Sequence, residues 1–549
     1  MTSPSPFAVI VGGGPVGLTA AIELGSRGIP VVLLTENAAT STHPKCNLTN
    51  ARSMEQFRRL GVAAEVRRSG LPTDFPPDIV YMTRYSGTVI HRHRFPPSGA
   101  AVEHYRRQPG GWLTPEPQHR VSQIFLERIL HERARSLPAA DIRFGWRADL
   151  LDMSDTEVRV EGVEVATGRR EVFTAPWLLA CDGGRGRLRR RLGIPMGGEG
   201  GVDRDFLGGR MLAVYFRSRR LNELLPRDGG FMFWAVNRQR RSVMVRIDGC
   251  DSFLMHFQLS PDRDVTEQAP AEVIRHTVGA EIDVDILSME PWTAGLSLVA
   301  ERFRQGRAFI AGDTAHLFTP TGGFGMNTGL EDVANLCWKL AAAHDGWAGP
   351  RLLDSYEAEC RPVALARTAY ARSLADRIGA LTVPDAVEDG GAAGDAARAA
   401  LAAQLARIAE GEFETSGVQL GSRYLDSPVV VPDGRPVPDV VPTRYEPAAA
   451  PGCRLPHLEL ADRMPVFDRL GPGFTLLQVG GAGDPEPFAA EARRRGMPLA
   501  VLPLPDPAAA ALYGPGLLLV RPDQHIAWRG VDADAGAVLD RVRGAGRPS

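Results

Sequence analysis

An apolar, β-branched run at 7–11 passes straight into Gly12-Gly13-Gly14-Pro15-Val16-Gly17. Two later apolar runs end on Asp182 and Asp313, and the stretch between them is rich in short β-branched and aromatic segments. Together these predict an α/β protein with a β-rich middle. At 549 residues the chain exceeds what one core holds, so two or three domains are expected.

Residues 7–11 have the composition of a parallel strand covered on both faces. Gly12, Gly14 and Gly17 fit GxGxxG: the first permits a tight turn, the second lets backbone approach a pyrophosphate, and the third lets the next helix pack on the strand. That helix is expected from Pro15 to about Arg27, with its N-terminal amides aimed at phosphate. Another apolar run at 30–34 leads to Glu36, about 20 residues beyond the glycines, where an acid binds ribose hydroxyls. The result is a Rossmann-like dinucleotide site, and this motif alone does not separate FAD from NAD. Residues 308–311 read as a further buried strand. Pro320, Gly322, Gly323 and Gly325 stand between it and a helix expected over 327–343, which carries Leu330, Val333, Cys337 and Leu340 on one face and Gly346 at its end. Glycines there permit close backbone approach to a flat ligand.

In the middle, 211–216, 230–236 and 242–247 read as antiparallel strands. Tyr215, Phe231, Met232, Phe233, Trp234, Met244 and Trp292 are its pocket candidates. Alternation puts Phe231 and Phe233 on one face and Met232 and Trp234 on the other, so one set is ordinary core. Beyond Pro362 a helix continues to about Arg377. Residues 384–394 read as a linker or exposed loop, Asp395 as the N-cap of an alanine-rich helix at 396–408, and 428–451 as an extended proline-rich stretch. The last hundred residues form a unit of their own, with apolar runs at 474–479, 498–503 and 516–520, a helix at 485–495 and a hairpin over 519–529.

A net charge of −2 supplies no field for nucleic acid or an acidic membrane surface, and no apolar stretch reaches about 18 residues, so neither is an expected partner. The six cysteines contain no CxxC pair, which argues against a disulfide framework or a metal site and suits a reducing cytoplasm.

Residues 9–24, 178–184 and 306–340 resemble, in order and spacing, three signatures of the single-component FAD-dependent aromatic hydroxylases, which have the p-hydroxybenzoate hydroxylase and phenol hydroxylase fold. Within that family the chain looks most like bacterial hydroxylases of aromatic polyketides and dichlorophenol hydroxylase. The resemblance implies non-covalent FAD, NADPH or NADH as electron donor and O2 as cosubstrate. A flavin hydroperoxide then transfers its distal oxygen to an electron-rich aromatic carbon. It also implies a discontinuous FAD-binding domain (1–80, 105–190 and 290–380), a substrate-binding β-sheet domain (81–104 and 191–289), a helix and linker (381–449) and a thioredoxin-like C-terminal domain (450–549). Lacking CxxC, that last domain has a structural or dimer-supporting role as its default, and a homodimer stays open.

The resemblance assigns residues as well. Asp182 is associated with the cofactor and the nicotinamide nucleotide, and Asp313 with a ribityl hydroxyl. Gly325 and the amides of Met326 and Asn327 face the flavin pyrimidine edge. Arg52 reaches the cofactor phosphates, and Gln118 the ribityl region, with Gln123 as the alternative register. Phe318 belongs beside the ring, as a substrate residue with Phe233, Trp234, Met244 and Trp292. The basic run Arg187, Arg189, Arg190 and Arg191 reads as a solvated helix face rather than an NADPH phosphate site. Asn47, Pro320 and Gly323 form the expected catalytic set. Asn47 stands five residues before Arg52, where phenol hydroxylase has an aspartate; it can bond a phenolic oxygen or the flavin but cannot act as a base. Either the base lies elsewhere, with His256 and Asp248 as candidates, or the substrate is acidic enough without one, as polyhydroxylated quinones are. The function implied is hydroxylation of a small phenolic or quinone-like aromatic, in natural-product biosynthesis. The rivals are Baeyer–Villiger-type insertion or breakdown of a chlorophenol-like aromatic on the same scaffold, a flavin protein that sequesters an intermediate without turnover, and a dehydrogenase using the first motif alone.

Overall fold

Ala8–Val11, Val31–Thr35, Trp177–Ala180 and Ala308–Ile310 are short apolar runs in which every residue is buried. Such runs form parallel strands covered on both sides. In the computed structural model, which describes residues 5–107, 112–200, 209–239, 241–259 and 269–545, they lie side by side. The sheet order is Arg304–Gln305, Ala308–Ile310, Trp177–Ala180, Ala8–Val11, Val31–Thr35, Ala140–Phe144, all parallel except the first strand. The first strand of the chain is central, and the order reverses beside it, which opens a crevice at the strand ends. Helices Pro15–Gly25 and Phe324–His344 pack together against this sheet.

The middle sheet has seven strands, in the order Asp285–Ala294, Gly209–Arg217, Ser252–Gln258, Arg241–Arg246, Met232–Val236, Ile79–Met82, Val89–His93. All pairs are antiparallel except Met232–Val236 with Ile79–Met82, so the sheet runs past the expected boundaries at 81 and 289. Both faces are covered. Phe233, Met244, Met255 and Phe257 pack under helix Pro270–Val278, while Met232, Trp234, Val243 and Val245 face the cleft.

The alanine-rich helix spans Gly391–Phe413, starting earlier and ending later than expected. Its N-cap is Gly390; Asp395 lies inside its first turns and pairs with Arg398, and a short 3-10 turn, Asp385–Glu388, precedes it where a linker was expected. Leu401, Leu405, Ala409 and Phe413 recur at helical spacing and pack on the cleft-side core of the middle sheet.

Strands Leu499–Leu504, Phe474–Val479, Gly516–Val520 and Ile526–Gly530 form the mixed C-terminal sheet in that order, with helices Glu486–Arg494, Pro507–Tyr513 and Ala535–Val542. Only the first pair is parallel, as a thioredoxin-like unit requires. It docks on helix Phe324–His344 through Trp338, Trp347 and Phe474 and through buried charge. Glu359 accepts from Lys339 Nζ at 2.6 Å and from both Arg521 guanidinium nitrogens at 2.6 and 2.8 Å.

Candidate cofactor and substrate cleft

A cavity of about 1160 Å³ runs from the glycine loop to the middle sheet. At its near end Gly12 has φ +120°, and a Cβ there would sit 2.1 Å from the Cys181 carbonyl oxygen; the close approach of two strand ends therefore demands glycine. Gly17 likewise packs against backbone, where a Cβ would lie 1.9 Å from the Gly12 carbonyl oxygen. Gly14 is different. Its backbone is ordinary extended chain, and a Cβ would meet no protein atom within 4 Å. The bare α-carbon keeps the cavity open in front of helix Pro15–Gly25, whose first amides have no side-chain cap. An open cradle at an uncapped helix start fits a pyrophosphate. Glu36 stands exposed at the rim.

Asp313 lies in the 3-10 turn Gly312–Thr314, with its carboxylate open to the cavity. The protein around it still desolvates it and raises its pKa, offset by His316 and Lys45. Its backbone is held from behind, because buried Asp332 accepts from the Gly312 amide at 3.0 Å and pairs with His316 Nε2 at 2.7 Å. Asp182 also lines the cavity, and its oxygens are engaged: Oδ2 accepts from the Leu188 amide at 2.9 Å and Oδ1 from the Thr314 hydroxyl at 3.1 Å. It thus joins two loops at the sheet's ends. Of the basic run, Arg187 and Arg190 reach the rim while their guanidiniums donate to the carbonyls of Ala148 and Arg185.

At the floor, Pro320, Gly323, Gly325 and Met326 line the cavity where helix Phe324–His344 begins, again without a side-chain cap. Its amides and dipole favour negative charge at this point. Asn327 is fully buried and faces away from the cavity: Nδ2 donates to the carbonyls of Leu48 and Gly323 at 2.9 and 2.7 Å, and Oδ1 accepts from the Asn50 amide at 2.8 Å. It ties down the segment that brings Asn47 to the cavity wall.

Arg52 does not reach the cavity. It is 1% exposed on helix Ala51–Arg59 and donates to Glu55 at 2.9 Å and to Gln524 Oε1 and the Asp523 carbonyl, both at 2.5 Å. That helix face is covered by the C-terminal domain. Gln118 is also outside, accepting from Gln419 Nε2 at 3.1 Å, whereas Gln123 lines the cavity.

On the substrate side Trp234, Trp292 and Phe318 line the cavity, joined by Met232 and His256. Phe233 and Met244 do not: each follows or precedes a lining residue in its strand, so the pleat buries both in the opposite core. Tyr215 and Phe231 also lie off the wall, packed in the cleft-side core. Asp248 is spent in a hairpin turn, accepting from the Cys250 amide at 2.8 Å. Burial lowers the His256 imidazole to about 4, and its ring meets Trp292 edge-on at 5.7 Å.

Among the lining residues that the sequence did not mark are Arg120, Glu412 and Phe413. The last two sit at the end of the alanine-rich helix, where no motif marks them. Glu412 is 5% exposed and accepts from the Gly322 amide at 3.3 Å; burial raises its carboxyl to about 7. Arg120 is equally buried, with Phe95, Phe413 and Phe231 around its guanidinium at 4.8, 5.3 and 5.7 Å. Among the described residues no group of three or more side chains is placed to hold a metal ion.

A crevice with two uncapped helix starts, the Asp313 carboxylate and an aromatic chamber beyond defines a dinucleotide-binding protein. Comparison with known proteins places it further. Residues 7–371 match the FAD binding domain family, and 448–546 match the aromatic-ring hydroxylase C-terminal family. The FAD-dependent monooxygenase apdD of Emericella nidulans is 32% identical, over 97% of this chain and 89% of its own length. Aklavinone 12-hydroxylase DnrF of Streptomyces peucetius is 31% identical, over 89% of this chain and 95% of its own. Among solved structures, the rebeccamycin biosynthetic enzyme RebC with reduced flavin superposes with a TM-score of 0.88 at 33% identity, covering 99% of both chains. The chain belongs to the class A FAD-dependent aromatic-ring hydroxylases, a family of flavoprotein monooxygenases.

Proposed function

We propose that this chain is an NAD(P)H- and O2-dependent FAD monooxygenase that hydroxylates a polycyclic phenolic or quinone-like substrate in natural-product biosynthesis. One observation carries the reading: the dinucleotide cradle and the aromatic chamber are a single cavity of about 1160 Å³. That exceeds the roughly 300–1,000 Å³ that one small molecule fills, so cofactor and substrate share it. Gly12, Gly14, Gly17 and the start of helix Pro15–Gly25 hold the pyrophosphate, Glu36 a ribose, and Asp313 the ribityl chain. Asp182 positions the loops around them. Gly325 and the amide of Met326 would take the pyrimidine edge, and Asn47, Pro320 and Gly323 line the same cavity. When bound, FAD would supply the redox chemistry by which a nicotinamide nucleotide and O2 yield an electrophilic oxygen. Trp234, Trp292 and Phe318 orient the aromatic ring and exclude water. The described cysteines are all free, which suits a cytoplasmic enzyme, and no described helix is long and apolar enough to cross a membrane. The relatives' substrates, an aklavinone among them, support a polycyclic ring system.

The test is reconstitution with FAD, followed by NADPH oxidation and oxygen uptake with a panel of hydroxynaphthoquinones and simple phenols. A yellow protein whose NADPH oxidation is stimulated by the polycyclic members, giving a product 16 mass units heavier, is expected. A protein that takes up no FAD ends the proposal. One that binds FAD but shows no stimulated oxygen uptake is a sequestering protein instead.

A further inference from the structure

Asn47 cannot accept a proton, Asp248 is remote, and His256 is a weak base held against Trp292. Among the described residues, Glu412 is the one wall carboxylate on the substrate side that is both deeply buried and incompletely bonded. One of its oxygens takes the Gly322 amide, in the loop that leads to the flavin-floor helix. The other, Oε2, is buried without any hydrogen-bond partner. Arg120 mirrors it. Its Nη2 is also buried without a partner, and three phenyl rings fix the guanidinium. No ion pair joins the two, although each senses the other's charge. A buried acceptor and a buried donor, both unsatisfied and both on one cavity wall, are costly unless a ligand completes them.

We propose that Glu412 is the base that takes the phenolic proton of the substrate, and that Arg120 holds the phenolate oxygen left behind. The proposal rests on the hydroxylase reading above. The substrate O–H bond breaks, its electron pair stays on oxygen, and the proton moves to Glu412 Oε2. The negative charge passes from the carboxylate to the phenolate beside the Arg120 cation, so total charge is unchanged. Electron density then rises at the ring carbons ortho and para to that oxygen, the ones an electrophilic oxygen attacks. After transfer the tetrahedral ring carbon gives its proton to water, which restores the aromatic ring with a phenolate oxygen, and Glu412 then returns its own proton to that oxygen. The titratable and charged groups facing Glu412 are Arg120, Tyr81 and Tyr370, and burial holds both tyrosines protonated. A carboxyl raised to about 7 is well matched to proton transfer near neutral pH. The substrate class follows: an aromatic with a hydroxyl ortho or para to the carbon oxidised.

The experiment uses the FAD-loaded full chain and two probes, 2-naphthol and 2-hydroxyanthraquinone, whose ionised forms absorb at longer wavelength than the neutral ones. Bound-probe spectra are titrated between pH 5 and 9 for wild type, Glu412→Gln, Glu412→Asp and the exposed same-helix control Glu410→Gln. In wild type the bound phenol should ionise at least tenfold more readily than in water. In Glu412→Gln that gain should disappear, and kcat/KM for stimulated NADPH oxidation should fall by about 10²–10⁴, with FAD affinity unchanged. Glu412→Asp should recover part of the ionisation, and Glu410→Gln should match wild type. If Glu412→Gln binds FAD and probe and ionises the probe as wild type does, the inference is overturned. If Glu412→Gln does not fold, the aspartate variant decides: ionisation identical to wild type overturns the inference, and a displaced midpoint supports it. A wild type that binds FAD but neither probe overturns the aromatic-chamber reading itself, and the inference with it.

Discussion

A methyl group at position 14 would meet no protein atom within 4 Å, whereas at position 12 it would lie 2.1 Å from a backbone oxygen. Gly14→Ala should therefore leave the apoprotein as stable as wild type, or more stable by about 0.4–1 kcal/mol, while weakening FAD at least tenfold. Gly12→Ala should lose at least about 1–3 kcal/mol before any ligand is added. Thermal melts of the apoprotein and FAD titration by fluorescence separate the two. Glu412 gives a pH signature of its own. Its carboxyl is raised from 4.5 to about 7 by burial, so the stability it lends is complete below pH 4.5 and lost as pH rises through 7. Glu412→Gln, which cannot ionise, should gain on wild type between pH 5 and pH 8 by something on the order of 3 kcal/mol, read from urea midpoints. At this scale the sequence was legible where a motif encodes backbone geometry, as at Gly12 and Gly17. It misled at Arg52, because nothing local reveals that Asp523 and Gln524, over four hundred residues away, cover that helix face. It was silent at Glu412, whose helix carries only alanine-rich periodicity.

Elements were easier to read than their faces. The strand at Ala8–Val11 and the helix at Phe324–His344 follow from composition and terminal glycines, and both form within a few residues of expectation. The middle strands also form, but period-2 alternation in an apolar run covered on both sides does not say which face meets the ligand. That is why Phe233 and Met244 were paired with Trp234 and Trp292 as wall residues. Asn327 joins two elements at one point, holding the Leu48 carbonyl and the Asn50 amide against the start of the floor helix. Asn327→Ala leaves both backbone groups unsatisfied in the interior and should cost about 2–4 kcal/mol. A broadened wall around Asn47 should also raise the KM of the aromatic substrate more than it lowers kcat. Denaturant curves and steady-state kinetics on the same variant check both.

The three domains are held as one body by charge sunk in apolar surroundings. Burial would raise Glu359, but Arg521 and Lys339 hold it down at about 2. Its contribution is complete above its ordinary 4.5 and lost as pH falls toward 2. Urea midpoints should therefore drop steeply between pH 5 and pH 3. Arg521→Ala, which leaves the buried Glu359 carboxylate with Lys339 as its remaining cation beside the neutral Asn335 and Ser427 donors, should cost about 3–5 kcal/mol at pH 7. The order of domains along the chain was visible from where the glycine-rich, β-rich and C-terminal runs fall. Their docking was not, because ionic contacts such as Glu55 with Arg454 join residues that no periodicity relates.

The strand carrying the glycine loop lies against Trp177–Ala180, and that one against Ala308–Ile310, so one sheet is completed by residues from the start and the middle of the chain. During synthesis the ribosome must release the chain well past Ala308 before the crevice exists at all. A nascent polypeptide halted at residue 300 should stay colourless in the presence of FAD, and one released after His344 should be the first to carry every residue assigned above to the cofactor.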